Sequence, residues 1–180
     1  MHLFKIMLFS SLIVGSLNPS NPWSEKLSLK VDNCIKATYP DLEYQLDEQK
    51  ISVQQEEITK LEIGNNLYKI KSTAGTIGYI YVDQAPSMKN VFDYAVVFTP
   101  ELEIKNTKVL IYREQHGRQI GAKRWLQQFF NMDTSDRPVL GKDVDGITGA
   151  TISATSMTRA IHDLLKDIDY LKSQGYFTND

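Results

Sequence analysis

Residues 67–112 read LYKIKSTAGTIGYIYVDQAPSMKNVFDYAVVFTPELEIKNTKVLIY, and apolar side chains alternate with polar ones through much of this stretch. A period of two is typical of β-strands with one buried face. It predicts four strands, at 67–71, 77–82, 94–99 and 108–112. Turn signals separate the strands at the spacing of antiparallel hairpins; they are Asn65-Asn66, Ala74-Gly75, Pro86-Ser87 and Pro100-Glu101. The pattern therefore predicts an antiparallel sheet.

Helical periodicity flanks the predicted sheet on both sides. Residues 23–39 predict a first helix that ends before Pro40, because the proline ring disfavours helix in the residue before it. Residues 123–130 predict a short helix, and residues 153–173 predict a long one whose apolar face would pack against the sheet. Between these two helices, residues 134–144 are predicted to form a loop.

The segment 41–61 is ambiguous, since its Gln-rich and Glu-rich part at 52–57 fits either a helix face or an exposed strand. The chain has 180 residues, of which 42% are hydrophobic and 23% are charged, and this suits one ordinary globular domain. Together the patterns predict an α+β fold with a single antiparallel-rich sheet and flanking helices. One domain is predicted to span 23–180.

Charge and cysteine content exclude several classes of function. The formal net charge is −2 and the lysines and arginines are scattered, so no nucleic acid is expected as a partner. Cys34 is the only cysteine, which excludes an intramolecular disulfide, a c-type haem attachment and a cysteine-ligated iron–sulfur cluster within this chain. Its place on the apolar stripe of the first helix favours packing over reactivity. A redox role would need another cofactor.

Residues 1–22 are predicted to be a signal peptide. A short start containing Lys5 precedes an uncharged and mostly apolar run at 6–17. The run is shorter than the roughly 20 residues needed to cross a bilayer, so export is favoured over a retained membrane anchor. An extracytoplasmic location, periplasmic or at the cell surface, is therefore expected.

A second stretch, D-G-I-T-G-A-T at 145–151, contains the candidate site. Gly146 and Gly149 allow the backbone to approach a bound group closely. Three hydroxyls lie on the turn or just after it, at Thr148, Thr151 and Ser153. A helix that opens at the end of this turn favours phosphate, although Ser and Thr are also ordinary helix caps. Spacing alone leaves both interpretations open, and it fits neither a Walker A loop, nor a dinucleotide fingerprint, nor a calcium loop.

The motif resembles the D-x-x-[ST]-G-A-[ST] flavinylation motif of the FMN-binding domain family. Members of that family include extracytoplasmic flavoprotein subunits of Rnf-type and sodium-translocating NADH:quinone oxidoreductase complexes. In the family, a flavin transferase uses FAD as donor and joins FMN to the final Thr through a phosphoester bond. The resemblance implies that Thr151 carries covalent FMN. The other positions of the recognition sequence would be Asp145, Thr148, Gly149 and Ala150, and Gly146, at a variable position, is a further cofactor-binding candidate.

The resemblance extends upstream and covers roughly residues 65–172. It implies that the flavin has neighbours at Ile120, Gly121 and Trp125, with core packing as the alternative for Trp125. The chain departs from the family at 116–121, where many members carry E-T-P-G-x-G. Here the sequence reads H-G-R-Q-I-G and keeps only the final glycine.

The function that the resemblance implies is that of an exported electron carrier rather than a stand-alone enzyme. The flavin would perform the electron chemistry while the protein orients it. The implied partners are the flavin transferase and redox partner proteins, and a membrane electron-transport complex is one setting for them. Two alternatives stay open, a reductase domain that binds FMN without a covalent bond and a secreted binding or structural domain without cofactor.

Overall fold

A computed structural model describes residues 22–49, 51 and 66–177 of the chain. Its centre is a five-stranded sheet in which every neighbouring pair is antiparallel and the strands follow one another in chain order. The strands are β1 (Gln45–Glu48), β2 (Leu67–Ser72), β3 (Gly75–Pro86), β4 (Val91–Phe98) and β5 (Ile104–Ile111). The predicted antiparallel sheet and the α+β class are confirmed.

Each of the four predicted strands extends beyond its predicted bounds, β3 at both ends and the other three at one end. β3 and β4 pair out to Pro86 and Val91, so their hairpin is closed by a short turn. β5 begins at Ile104, four residues before the predicted start at 108. The register shifts between Val97 and Phe98, opposite this part of β5, and such a bulge breaks the strict alternation on which the prediction depended.

β1 lies within the segment that the sequence left ambiguous. Its four residues read QLDE, and they pair with Lys71 to Tyr68 of β2. The sequence at 52–57 fits either a helix face or an exposed strand. These residues lie outside the described part of the chain. The predicted signal peptide at 1–22 also lies outside it, apart from Pro22, and stays a prediction.

Three helices are described. The first, α1 (Glu25–Thr38), begins at an N-cap serine, because the Ser24 hydroxyl accepts a hydrogen bond from the Leu27 N–H at 3.4 Å. The second, α2 (Lys123–Leu126), continues directly as a 3₁₀ turn over Gln127–Phe129. The third, α3 (Thr151–Ser173), starts two residues before the predicted position, since the chain enters the helix directly from the glycine turn. Within the described residues, no helix combines the length and apolar content that a membrane crossing requires.

The helices cover both faces of the sheet. On one face, α1 packs with Val31, Cys34 and Ile35, together with its C-cap residue Tyr39, against apolar side chains of β2 to β5. On the other face, α2 and α3 enclose a larger core, to which α3 contributes Met157, Ile161, Leu164, Leu165 and Ile168. β4 is therefore buried continuously from Phe92 to Phe98, and full burial of a large apolar side chain such as Phe92 contributes about 1.5–3 kcal/mol.

Cys34 is expected to be nearly inert in the native protein. The side chain is 4% exposed, and burial raises the pKa of its thiol to about 11, with Lys108 opposing the shift. Because the thiolate is the reactive form, DTNB at pH 8 should react about 100-fold more slowly with the native protein than with the urea-unfolded chain. Stopped-flow absorbance measures both rates, and equal rates would contradict the buried position of this side chain.

Candidate functional site

The motif at 145–151 forms an uncapped approach to α3. Gly149 has a φ of +78°, in the left-handed region that favours glycine. Ala150 is the N-cap residue, and no side chain among the described residues accepts a hydrogen bond from the first turn. The first intrahelical bond runs from the Ala154 N–H to the Ala150 carbonyl, so the three preceding N–H groups have no acceptor within the helix. The interpretation of the motif hydroxyls as helix caps is therefore wrong.

The hydroxyls around this helix start differ in their availability. Ser153 is 3% exposed, and its Oγ lies 3.0 Å from the Tyr112 Oη. The Thr155 hydroxyl donates to the Thr151 carbonyl at 2.9 Å. Thr148 and Thr151 are exposed, and no hydrogen bond to another described residue engages either hydroxyl. Of these two, only Thr151 lies on the helix itself.

The α2 segment fixes the backbone at the start of the motif. The Trp125 indole N–H donates to the Asp145 carbonyl at 2.6 Å, and the Asp145 N–H donates to the Gln128 Oε1 at 2.9 Å. Trp125 is buried and meets Phe129 edge to face, with ring centroids 5.3 Å apart. Trp125 therefore combines the core packing that was the alternative interpretation with an anchoring role that the sequence did not indicate.

Gln128 is a residue that the sequence interpretation missed as part of the site. Its signal was its spacing, since residues three apart on a helical turn share a face and Trp125 is three positions earlier. The two side chains together satisfy both backbone polar groups of Asp145, while the Asp145 residue itself is exposed. The motif is thus held by its backbone, which leaves its exposed side chains available.

An open cavity of about 500 Å³ lies against the motif turn. It is lined by Gln115, His116, Gly117, Arg118, Gln119 and Gly149. Its volume falls within the range of about 300–1,000 Å³ that is usual for small-molecule and cofactor sites. The loop that precedes α2 and the motif turn, far apart in sequence, are therefore brought together into one concave surface.

The residues predicted as upstream flavin neighbours lie beside this cavity but do not line it. Ile120 has no exposed surface and belongs to the main core. Gly121 is exposed at the end of a 3₁₀ turn over Arg118–Gly121. Their role as flavin neighbours stays a prediction, and the residues that face the cavity are those immediately before them.

Gly117 allows the loop and the motif to touch, and we expect Gly117→Ala to destabilise the protein by about 1–3 kcal/mol. Its φ is +79°, and an added Cβ would lie 2.6 Å from the Tyr112 Oη and 3.4 Å from the Gly149 carbonyl oxygen. Tyr112 cannot move freely, because it packs on Phe92 with ring centroids 5.9 Å apart. Thermal and urea unfolding measure the loss of stability.

The matched control for this substitution is Gly146→Ala. An added Cβ at Gly146 meets no heavy atom within 4 Å, and its φ is not positive. We expect its stability to stay within about 0.5 kcal/mol of the parent value. Equal losses in the two variants would contradict the close contact assigned to Gly117.

Glu114 fastens the start of the cavity loop to the β3–β4 hairpin. One carboxylate oxygen accepts hydrogen bonds from the Ser87 hydroxyl at 2.8 Å, the Lys89 N–H at 2.6 Å and the Asn90 N–H at 2.9 Å. These bonds, led by that of the Lys89 N–H, lower the pKa of the Glu114 carboxyl below its usual value of 4.5. The three hydrogen bonds are therefore made by the ionised form of the Glu114 carboxyl group.

This arrangement predicts a pH-dependent contribution to stability. Because the pKa of Glu114 is lower in the folded than in the unfolded protein, its contribution is present above pH 4.5 and is lost as the pH falls through the folded value. The difference in unfolding free energy between the parent and Glu114→Gln should therefore shrink as the pH falls from 6 to 3. Urea unfolding across that range measures it. A difference that stays constant over that range would contradict the prediction.

The cavity loop, α2 and the motif turn lie in a part of the chain that is similar to known proteins. Residues 88–166 match the family model described as FMN-binding domain. The match includes β4, β5, the cavity loop, α2 and the motif turn. A search of curated proteins finds no match. Among solved structures, the chain is similar to the crystal structure of Shewanella oneidensis NqrC, at 18% identity and a TM-score of 0.49, over 73% of this chain and 72% of that chain.

Proposed function

We propose that this protein is an extracytoplasmic flavoprotein that carries FMN on Thr151 through a phosphoester bond, since residues 88–166 match the FMN-binding domain family model. It passes electrons between redox partners. The observation that supports this proposal most is the exposed Thr151 hydroxyl at an uncapped helix N-terminus, next to an open cavity. An attached phosphate at this position needs no rearrangement of the surrounding backbone.

The residues present fit a phosphodiester. The free N–H groups and the dipole of α3 favour negative charge at its first residue by about 0.3–1 kcal/mol, and more where the site is partly buried. The left-handed Gly149 and the small Ala150 leave the approach to Thr151 open. Arg118 is exposed on the cavity wall and adds a positive charge.

The cavity beside Gly149 would hold the rest of the cofactor. FMN supplies electron transfer when bound, while the chain orients the flavin and limits access of water to it. Gln115, His116 and Gln119 present polar groups on the cavity wall. Trp125 and Gln128 hold the motif backbone at Asp145, and this positions Thr151.

Attachment is proposed to be enzymatic. A flavin transferase would move the FMN phosphoryl group from FAD to the Thr151 Oγ1. The new O–P bond replaces the phosphoanhydride bond of FAD, AMP leaves, and the threonine hydroxyl loses its proton. Thr151 is accessible to such an enzyme because the residue is exposed. Thr148 and Ala150 lie within the segment that the transferase would have to recognise.

The proposed location is extracytoplasmic, supported by the apolar run at 6–17. Outside the cytoplasm, FMN that dissociated could not be replaced from the cell's own pool. A covalent bond keeps the carrier loaded at any concentration of free flavin. A carrier that passes electrons between partner proteins, including the proteins of a membrane complex, has to keep its flavin bound in this way.

The decisive experiment measures where the flavin is attached. The chain is expressed with and without a flavin transferase, denatured, and digested with trypsin, which cuts after Lys142 and Arg159. We expect the peptide 143–159 to gain the mass of one FMN less one water, on Thr151, only when the transferase is present. Flavin that leaves the chain on denaturation would support the reductase alternative instead. A colourless protein with unmodified Thr151 would support a binding domain without cofactor.

A further inference from the structure

A second cavity, of about 510 Å³, lies along β5 and shares no residue with the cavity beside the motif. One wall is α1, and the other is α2 with Phe130. Every residue from Lys105 to Leu110 lines it. Since successive strand residues point to opposite faces of a sheet, a cavity lined by all of them must follow the edge of the strand.

The edge of β5 has backbone groups available for pairing. β5 is the last strand in the order of the described sheet, with β4 as its one neighbour there. At its start, the Ile104 N–H donates to the Met132 carbonyl and the Ile104 carbonyl accepts from the Asn131 N–H, both at 2.8 Å. From Lys105 to Leu110, the described part of the chain supplies no further backbone partner on that side. Another extended strand could therefore continue the pairing begun at Ile104.

The charge of this groove has one sign. Four lysines line it, and no Asp or Glu does; the lysines are Lys30, Lys105, Lys108 and Lys123. All four are exposed, and none forms an ion pair with a described carboxylate. Lys105 lies over the Tyr39 ring, 4.3 Å from its centroid. Four positive charges thus lie around the edge of β5, and no described carboxylate neutralises them through an ion pair.

We propose that this groove binds an extended acidic segment of a partner protein, which pairs with the edge of β5 and directs its carboxylates toward the four lysines. Edge lysines oppose pairing with basic or neutral strands, including β5 of a second copy. The same charges favour an acidic strand, so they select among partners. Leu110, Leu126 and Phe130 in the lining supply apolar contacts for the side chains that alternate with the carboxylates.

A labelled peptide tests the proposal directly on the full chain. A fluorescein peptide of alternating Glu and Val, about six residues long like a typical strand, is titrated with the protein by fluorescence anisotropy. A second peptide has the same number of glutamates but carries two adjacent prolines at its centre; since the N–H groups of neighbouring strand residues point to opposite edges, this removes a donor from each edge. We expect the first peptide to bind saturably and the proline peptide to bind at least tenfold more weakly.

Charge-reversed variants locate the binding. Lys105→Glu with Lys108→Glu should weaken binding of the Glu-Val peptide at least tenfold. Lys166→Glu with Lys172→Glu, an equal charge change at exposed lysines of α3 outside the groove, should weaken it twofold or less. Circular dichroism verifies that each variant is folded. The test does not involve flavin, so its outcome is independent of attachment at Thr151.

Three results would overturn the proposal. The Glu-Val peptide could fail to bind, or the groove variant could lose no more affinity than the control pair. Third, the proline peptide or inorganic polyphosphate could bind the groove as tightly as the Glu-Val peptide does. That last result would show a surface that attracts any polyanion and does not pair with a strand.

Discussion

Thr151→Ala is expected to abolish covalent flavin loading, with a drop of at least about 100-fold in the flavin fluorescence that stays with the denatured chain. The substitution removes the one hydroxyl that is both exposed and on the first residue of α3. Ser153 cannot replace it, because that side chain is buried against Tyr112. Thr155 cannot replace it either, since its hydroxyl is bonded to the Thr151 carbonyl one turn earlier. Thr151→Ser keeps the hydroxyl and should retain part of the loading.

The loss should be specific to the cofactor and not to the fold. Thr151 is exposed and caps nothing, so its replacement by alanine should change the unfolding free energy by no more than about 0.5 kcal/mol. Thr155→Ala is the matched control, because it removes an exposed threonine hydroxyl from the same helix and should load normally. A modified 143–159 peptide in Thr151→Ala would move the acceptor to another hydroxyl of that peptide, such as Thr148, and contradict the assignment.

The sheet could be predicted from sequence because its signals are local. The alternation at 67–71 and the turn at Ala74-Gly75 are each formed by a few neighbouring residues. They predict β2 and the hairpin that joins it to β3. β1 could not be predicted in the same way. Its residues QLDE show no apolar alternation, and the strand exists because β2 offers an edge for it to pair with.

The candidate site was predictable in its chemistry but not in its construction. The motif is contiguous, so its resemblance to a flavinylation sequence is visible in the residues themselves. What holds it is not local: Tyr112 meets Ser153 across 41 positions, and Trp125 meets Asp145 across 20. Helix capping by a hydroxyl was a reasonable local expectation. It failed because Gly149 turns the chain so that Ala150 occupies the N-cap position.

Arg113→Met is expected to destabilise the protein by about 3 kcal/mol, because it leaves a buried carboxylate without its partner. Asp93, on β4, has a side chain that is 2% exposed, and its Oδ2 lies 2.6 Å from the Arg113 Nη2. No described residue donates a hydrogen bond to that oxygen, so its compensation comes from the charge of Arg113 through the ion pair. The other oxygen, Oδ1, accepts from the Gln84 side chain at 2.7 Å.

The expected loss of stability is at the lower end of the range for broken buried pairs, since the Arg113 side chain is 37% exposed and water can enter where it was. Arg113 also donates to the Val91 carbonyl at 3.0 Å, so its loss releases the chain between β5 and the cavity loop. For a chain of this size, about 3 kcal/mol corresponds to a fall in Tm of about 6–12 °C. Calorimetry and urea unfolding measure it.

Two further variants separate the buried charge from other effects of removing an arginine. Asp93→Asn combined with Arg113→Met should recover part of the loss, because no buried charge remains and the asparagine oxygen can still accept from Gln84. Lys36→Met breaks the exposed i,i+4 pair with Asp32, whose side chains are 62% and 34% exposed, and should cost no more than about 0.5 kcal/mol. If Arg113→Met lowered the unfolding free energy as little as Lys36→Met does, the Asp93 carboxylate would have to be accessible to water. The ion pair would then contribute little to joining β4 to the start of the cavity loop.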